Sequence, residues 1–132
     1  MILDSELLLS DKQTVTATAP SDDFIDFGPG RDIGPGTAVP LLIQVSAPFS
    51  DMADLTVDIE TSDDPTFVSG VKVLAGMTVP VADLVQGYQF PVAHVPNHCL
   101  RYFRLNYTVG TPGASPNGAI TAGVVWGVQT NR

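Results

Sequence analysis

The sequence predicts an all-β protein, an antiparallel β-sandwich of the jelly-roll type with about eight strands. Short alternating runs of apolar and polar residues recur roughly every ten residues. Glycine, proline, asparagine and aspartate separate these runs, and no stretch keeps the period of an α-helix. The chain has 132 residues, which is enough for one core, so we expect residues 1–132 to form a single domain.

Residues 100–109 (LRYFRLNYTV) have the clearest strand pattern. Phe103, Leu105, Tyr107 and Val109 alternate with more polar residues, and no proline interrupts the run. We therefore predict a central strand with one face in the core. The expected core comprises Phe103, Leu105, Tyr107, Val124 and Trp126.

Other strands follow from the same alternation. Residues 39–47 and 55–61 are predicted to be antiparallel neighbours, because a single short connection joins them. Residues 119–130 alternate too, and we expect them to form a long hairpin with the central strand. Shorter strands are predicted at 13–19 and 88–92. Residues 71–75 and 77–81 are predicted to form two short strands or one strand broken around Gly76, with Pro80 favouring a sheet edge.

The N-terminal residues 1–10 are unusually apolar and have neither a clean helical nor a clean strand period. They form either a terminal strand or an arm that a partner covers, because so many aliphatic side chains must be buried somewhere. The candidate contact residues of this segment are Ile2, Leu3, Leu7, Leu8 and Leu9.

Two Gly-Pro-Gly turns enclose Arg31, Asp32 and Ile33. Such turns hold the three side chains on a projecting loop, which suits contact with a partner. A phosphate-binding loop would need a Gly-Lys-Ser/Thr ending followed by a helix, and this segment has neither. We therefore predict that Arg31, Asp32 and Ile33 are candidate contacts.

Two groups of residues invite a metal-site interpretation. His94 and His98 lie beside Cys99, but the intervening proline would break a helix that aligned them, and no second ligand pair appears. Asp63 and Asp64 lack the glutamate that completes a calcium loop, so a turn with side-chain hydrogen bonds is the simpler interpretation. We predict no metal and no cofactor, and an inert thiol at Cys99.

Charge excludes further classes of function. Fourteen acidic and six basic residues give a net charge of −8, which opposes binding to nucleic acid or to an anionic membrane.

No apolar run is long enough to span a bilayer, and the acidic N-terminus does not resemble a signal peptide. No nucleophile, base or acid pair has a convincing partner, so the sequence predicts a binding or structural protein and not an enzyme.

Four segments, in order, resemble the jelly-roll cement proteins that decorate the capsids of tailed bacteriophages. They are residues 1–19, residues 25–28 followed by 31–34, residues 55–67 and residues 101–110. The resemblance implies a virion protein, made in the host cytoplasm, that binds the outer surface of an icosahedral shell. Its partners would be the major capsid protein and other copies of itself, with a homodimer favoured over a homotrimer.

A second function class remains open at this point. A carbohydrate-binding β-sandwich module would need exposed aromatic rings on one sheet face. Tyr88 and Tyr102 are the only candidates for such rings in the sequence.

Overall fold

A computed structural model describes residues 3–26, 40–91 and 100–125 of the chain. These residues form eight β-strands and one short 3-10 helix, so the predicted all-β class is confirmed. No helix in the described part of the chain has the length and apolar character needed to cross a membrane. The strands are β1 (Leu3–Thr14), β2 (Ala19–Pro20), β3 (Ile25–Asp26), β4 (Leu41–Ser50), β5 (Asp54–Ser62), β6 (Lys72–Pro80), β7 (Tyr102–Gly110) and β8 (Asn117–Val125), and the 3-10 helix is Val81–Asp83.

The strands form two antiparallel sheets. The smaller sheet has the order β1-β8-β4, and the larger sheet has the order β2-β7-β5-β6, with β3 pairing beside β2 along β7. Residues 87–90 extend the smaller sheet beyond β4. There the Val45 N–H donates to the Tyr88 carbonyl and the Phe90 N–H donates to the Ile43 carbonyl.

Pairing in the two sheets is nested along the chain. The first strand pairs with the last (β1 with β8), β2 and β3 pair with β7, β4 pairs with residues 87–90, and β5 pairs with β6. A folded-over arrangement of this kind, in which strands distant in sequence become neighbours, is the arrangement of a jelly roll. The predicted fold type is therefore confirmed.

Two predicted strand pairings are wrong. β4 pairs with β8, whereas β5 lies between β6 and β7, so these consecutive strands lie in opposite sheets. β7 and β8 are also in opposite sheets and form no hairpin. The short connections cross between the sheets: Asp51 turns the chain after β4 with a φ of 60°, and its carbonyl accepts the Gly113 N–H from the connection between β7 and β8.

The predicted central strand is confirmed as β7, which pairs with β5 on one side and with β2 and β3 on the other. Phe103, Leu105 and Tyr107 are wholly buried between the sheets. Val124 is partly buried against the same core. The fifth predicted core residue, Trp126, lies outside the described residues.

The N-terminal segment is a strand of the sandwich, because β1 pairs with β8 from Leu3 to Thr14. Leu9 is wholly buried in the core, and its carbonyl accepts a hydrogen bond from the Asp23 N–H. The proposal that Leu9 contacts a partner therefore needs correction: its side chain is already covered by this chain's own two sheets.

Candidate binding surface

The residues predicted from the sequence to contact a partner are spread over different environments. Leu3 and Leu7 lie in β1, at the edge of the smaller sheet, and Leu8 is half-buried there. Ile2, Arg31, Asp32 and Ile33 lie outside the described residues, as do His94, His98 and Cys99. These assignments stay predictions.

A different surface stands out at the end of the larger sheet where β5 ends and β7 begins. Three of the exposed large hydrophobic side chains belong to it: Phe24 (46% exposed), Val68 (82% exposed) and Val71. Phe24 precedes β3, Val68 lies in the loop after β5, and Val71 precedes β6. We call the following set the end surface: Phe24, Phe67, Val68, Val71, Arg101, Tyr102 and Arg104.

Aromatic rings hold the end surface together. Phe24 packs edge-on against Tyr102, with ring centres 5.5 Å apart, and against Phe67, with ring centres 6.2 Å apart. Edge-to-face contact is a favourable arrangement for aromatic pairs. Phe67 and Tyr102 are themselves buried, so Phe24 is the ring that remains open to solvent.

Two arginines flank the rings, and each is paired with a carboxylate. Arg101 donates two hydrogen bonds to Asp26, at 2.9 and 3.1 Å, and this pairing raises the pKa of the guanidinium above its usual value. Arg104 donates to Glu60 at 2.9 Å. The Arg101 and Arg104 guanidinium carbons lie 5.0 Å from the Tyr102 ring centre and 4.2 Å from the Phe67 ring centre, within the range of cation–π attraction.

The loop that carries Val68 is ordered by Asp64. Its carboxylate accepts hydrogen bonds from the backbone N–H groups of Thr66, Val68 and Ser69 and from the Thr66 hydroxyl. These hydrogen bonds, chiefly those from Thr66, lower the pKa of Asp64 to about 2. The predicted turn with side-chain hydrogen bonds is confirmed, and the Asp64 oxygens are engaged by the loop's own donors.

The end surface is therefore an apolar area in which charges are already satisfied. Asp26, Glu60 and Asp64 each have donors within the chain, although the whole molecule has a net charge of −8. Sequence reasoning missed this surface because Phe24, Phe67 and Tyr102 come from three separate parts of the chain. The one available signal in the sequence was that two of the chain's four arginines, Arg101 and Arg104, lie on or beside the predicted central strand.

Other candidate sites are less well developed. The described residues contain no group of histidine, cysteine, aspartate or glutamate side chains arranged to hold a metal. Neither tyrosine considered for carbohydrate binding presents an open ring, since Tyr102 is buried and Tyr88 packs against Phe90 and the core. A shallow groove of about 360 Å³ on the smaller sheet is lined by Lys12, Gln44, Val45, Ser46, Gln86, Gly87 and Thr121.

Most of the chain matches the model of a known protein family. The family model described as Bbp16 matches residues 9–126 of the chain, and its name indicates a phage-related protein. The matched range includes seven complete strands and the second half of β1. No curated protein matches the sequence.

Proposed function

Because this chain belongs to the Bbp16 family, we propose that it is a structural protein of a tailed-bacteriophage virion. It binds the outer surface of the icosahedral capsid and stabilises the shell by cementing neighbouring major capsid proteins. The family name, which indicates a phage-related protein, and the four segments that resemble capsid cement proteins support this proposal. The protein is made in the bacterial host cytoplasm, acts on the virion surface and has no catalytic role.

The structural observation that favours this role is the end surface. A docking surface on an acidic protein is costly if charged groups must lose water on binding without new partners. At the end surface the nearby carboxylates already have donors, and Phe24, Val68 and Val71 supply apolar area. Apolar area with satisfied charges is what a stable protein–protein contact needs at its centre.

Repetition of the contact makes modest affinity sufficient. A specific interface buries about 1,200 to 2,000 Å². We propose that this protein acts as a homodimer, with a homotrimer as the alternative, so that each particle engages several capsid proteins at once. Multivalent attachment raises the overall affinity without any new contact. The edge residues Leu3, Leu7 and Leu8, together with Ile2, Arg31, Asp32 and Ile33, are proposed as secondary contacts.

Binding to emptied heads that lack their own decoration tests the proposal. We expect the wild-type protein to be retained on the heads and Val68→Asp to reduce retention by about tenfold, because a new carboxylate would have to be desolvated. Val85→Asp is the matched control, since Val85 is 55% exposed and lies outside the end surface; its retention should stay within about twofold of wild type.

Two results would count against these ideas in different ways. Folded wild-type protein that is not retained on undecorated heads would contradict the capsid role. Retention that is equal for Val68→Asp and Val85→Asp would keep the role but contradict the end surface as the contact. Soluble glycans in the same assay address the carbohydrate-binding alternative, which predicts saturable glycan binding and no retention on heads.

A further inference from the structure

β6 is the strand at one edge of the larger sheet. Among the described residues, β6 has β5 as its only strand partner. Alternate residues of an edge strand direct their N–H and C=O groups away from the sheet, where another strand can pair with them. β6 is nine residues long, so it offers a long edge for such pairing.

The composition of β6 provides little protection against pairing. Natural edge strands are commonly blocked by charges, prolines or bulges. β6 carries Lys72 at one end and Pro80 at the other, but the seven residues 73–79 between them are uncharged. One irregularity, a register shift opposite Ile59 and Glu60, lies near the Lys72 end and leaves the part from Ala75 to Val79 regularly paired.

Side chains in the middle of the inner face of β6 are incompletely covered, whereas Val79 near its end is buried. Ala75 pairs with Ile59 and Met77 pairs with Val57, so both point toward the core. Ala75, Met77 and Leu74 are nevertheless only partly buried, whereas Val57 and Ile59 on the neighbouring strand are wholly buried. A further strand beside β6 would cover these residues with its own inward-facing apolar side chains.

The outer face at this edge carries an unneutralised carboxylate. Asp58 of β5 lies opposite Gly76, and its side chain extends over that glycine so closely that a Cβ there would collide with the carboxylate. Glu60, two residues along, is bound by Arg104, but Asp58 has no cationic partner among the described residues. A strand added at β6 would therefore place an outward-facing side chain close to Asp58.

We propose that β6 is a strand-addition site for an extended segment of another protein. That segment has apolar residues on its inner face and lysine or arginine near its centre on the outer face. Backbone pairing would supply affinity and the side chains would supply specificity. A second copy of this chain fits less well, because antiparallel pairing of two β6 strands about Gly76 would bring two Asp58 carboxylates together.

This inference rests on the proposed function only for the source of the segment, which would be a capsid protein. The site itself can be tested without heads. The probe is a peptide of the same nine-residue length as β6 that alternates valine and lysine, and the control probe replaces every lysine by glutamate. Amide hydrogen exchange in isotopically labelled full-length protein reports strand pairing residue by residue.

With the lysine peptide we expect slower amide exchange in residues 73–78 and unchanged exchange in β1, the edge strand of the other sheet. Asp58→Lys should weaken the lysine peptide by about fivefold or more and improve binding of the glutamate peptide, because it reverses the charge at the site. Asp11→Lys is the matched control, since it changes the net charge equally at an exposed position of β1. It should alter the affinity by less than about twofold.

Several outcomes would overturn the inference. One is the absence of new protection in β6 at saturating peptide. Another is equal weakening by Asp58→Lys and Asp11→Lys, which would indicate attraction by net charge alone. A third is that, without peptide, the amides of β6 already exchange as slowly as those of β7. The edge would then be covered by a segment of the same chain, or by a second copy if the protection rises with protein concentration. Failure on heads with success here would reject the capsid role and keep the strand-addition site.

Discussion

The hydroxyl oxygens of Ser10 and Tyr107 lie 2.7 Å apart in the interior of the sandwich, and their hydrogen bond joins the two sheets. Ser10 belongs to β1 of the smaller sheet and Tyr107 to β7 of the larger sheet. The Ser10 hydroxyl also donates to the Gln13 side-chain oxygen at 2.6 Å. Gln13 in turn accepts from the Asp22 N–H and donates to the Pro20 carbonyl, so the network ties β1 to β2 and to the residue that follows β2 by two.

Removing the Ser10 hydroxyl should destabilise the protein more than removing the Tyr107 hydroxyl. Ser10→Ala leaves the buried Tyr107 hydroxyl without its partner and should cost about 1–3 kcal/mol, whereas Tyr107→Phe removes the group itself and should cost about 0.5–1.5 kcal/mol. Thr78→Val is a control, because the Thr56–Thr78 hydroxyl pair is exposed and water can replace it. Equilibrium denaturation measures all three, and a loss for Ser10→Ala no larger than that of the control would contradict the buried bridge.

Stability should fall at alkaline pH in a way that depends on Tyr107. Burial raises the pKa of this phenol above its usual value of 10.0. The folded protein therefore holds its proton where the unfolded chain releases it, so the contribution is complete below about pH 10 and is lost as pH rises above that value. Between pH 8 and about pH 11 the free energy of unfolding should fall less steeply with pH for Tyr107→Phe than for the wild type. Equal slopes for the two proteins would argue against the effect.

Phe103 should be one of the most sensitive core positions. Its ring is wholly buried in the central strand β7, so Phe103→Ala should cost about 3–5 kcal/mol out of a total of about 5–15 kcal/mol. Phe24→Ala is a suitable comparison because nearly half of that ring is exposed. A loss below about 1 kcal/mol for Phe103→Ala would contradict the packing.

Truncation of the N-terminus should disrupt folding. The sequence left open whether residues 1–10 form a strand or an arm, and the structure shows that β1 is a paired strand and that Leu9 is a core residue. Leu9→Ala alone should cost about 2–5 kcal/mol, and the deletion should cost more because it also removes strand pairing. A deletion variant with wild-type stability would show that β1 is dispensable, and half-buried Leu8→Ala provides the milder reference.

The loop after β5 should lose its order when Asp64 is replaced or protonated. With the pKa of Asp64 lowered to about 2 from 3.8, its contribution is present above about pH 3.8 and is lost as pH falls toward 2. Asp64→Ala should speed amide exchange at Thr66, Val68 and Ser69. Asp63→Ala, which removes only an acceptor for the Arg101 N–H, should leave those amides unchanged, and equal effects of the two variants would contradict the assignment.

Local pattern was sufficient to identify β4, β5, β7 and β8 and their buried faces, but not β1, whose first residues show no clean period. Phe103, Leu105 and Tyr107 alternate with polar residues, and side chains alternate across any strand whatever its partners are, so their burial was predictable. The alternation predicted over residues 119–130 likewise agrees with the burial of Ile120 and Ala122 in β8, and Pro80 correctly indicated the edge position of β6. The turn around Asp64 was also predictable, because its hydrogen bonds span only a few residues.

Strand partners and the end surface depended on the tertiary structure. The period of a strand says which residues face the core but nothing about which strand lies beside it, so β4 and β5 could look like neighbours although the jelly roll separates them into two sheets. The rings of Phe24, Phe67 and Tyr102 meet only because β3 and β5 both pair with β7. Sequence alone therefore determined the class of fold and the inward faces of its strands. The long-range pairing determined which side chains share a surface, because contacts between distant segments are decided by the burial of the whole core.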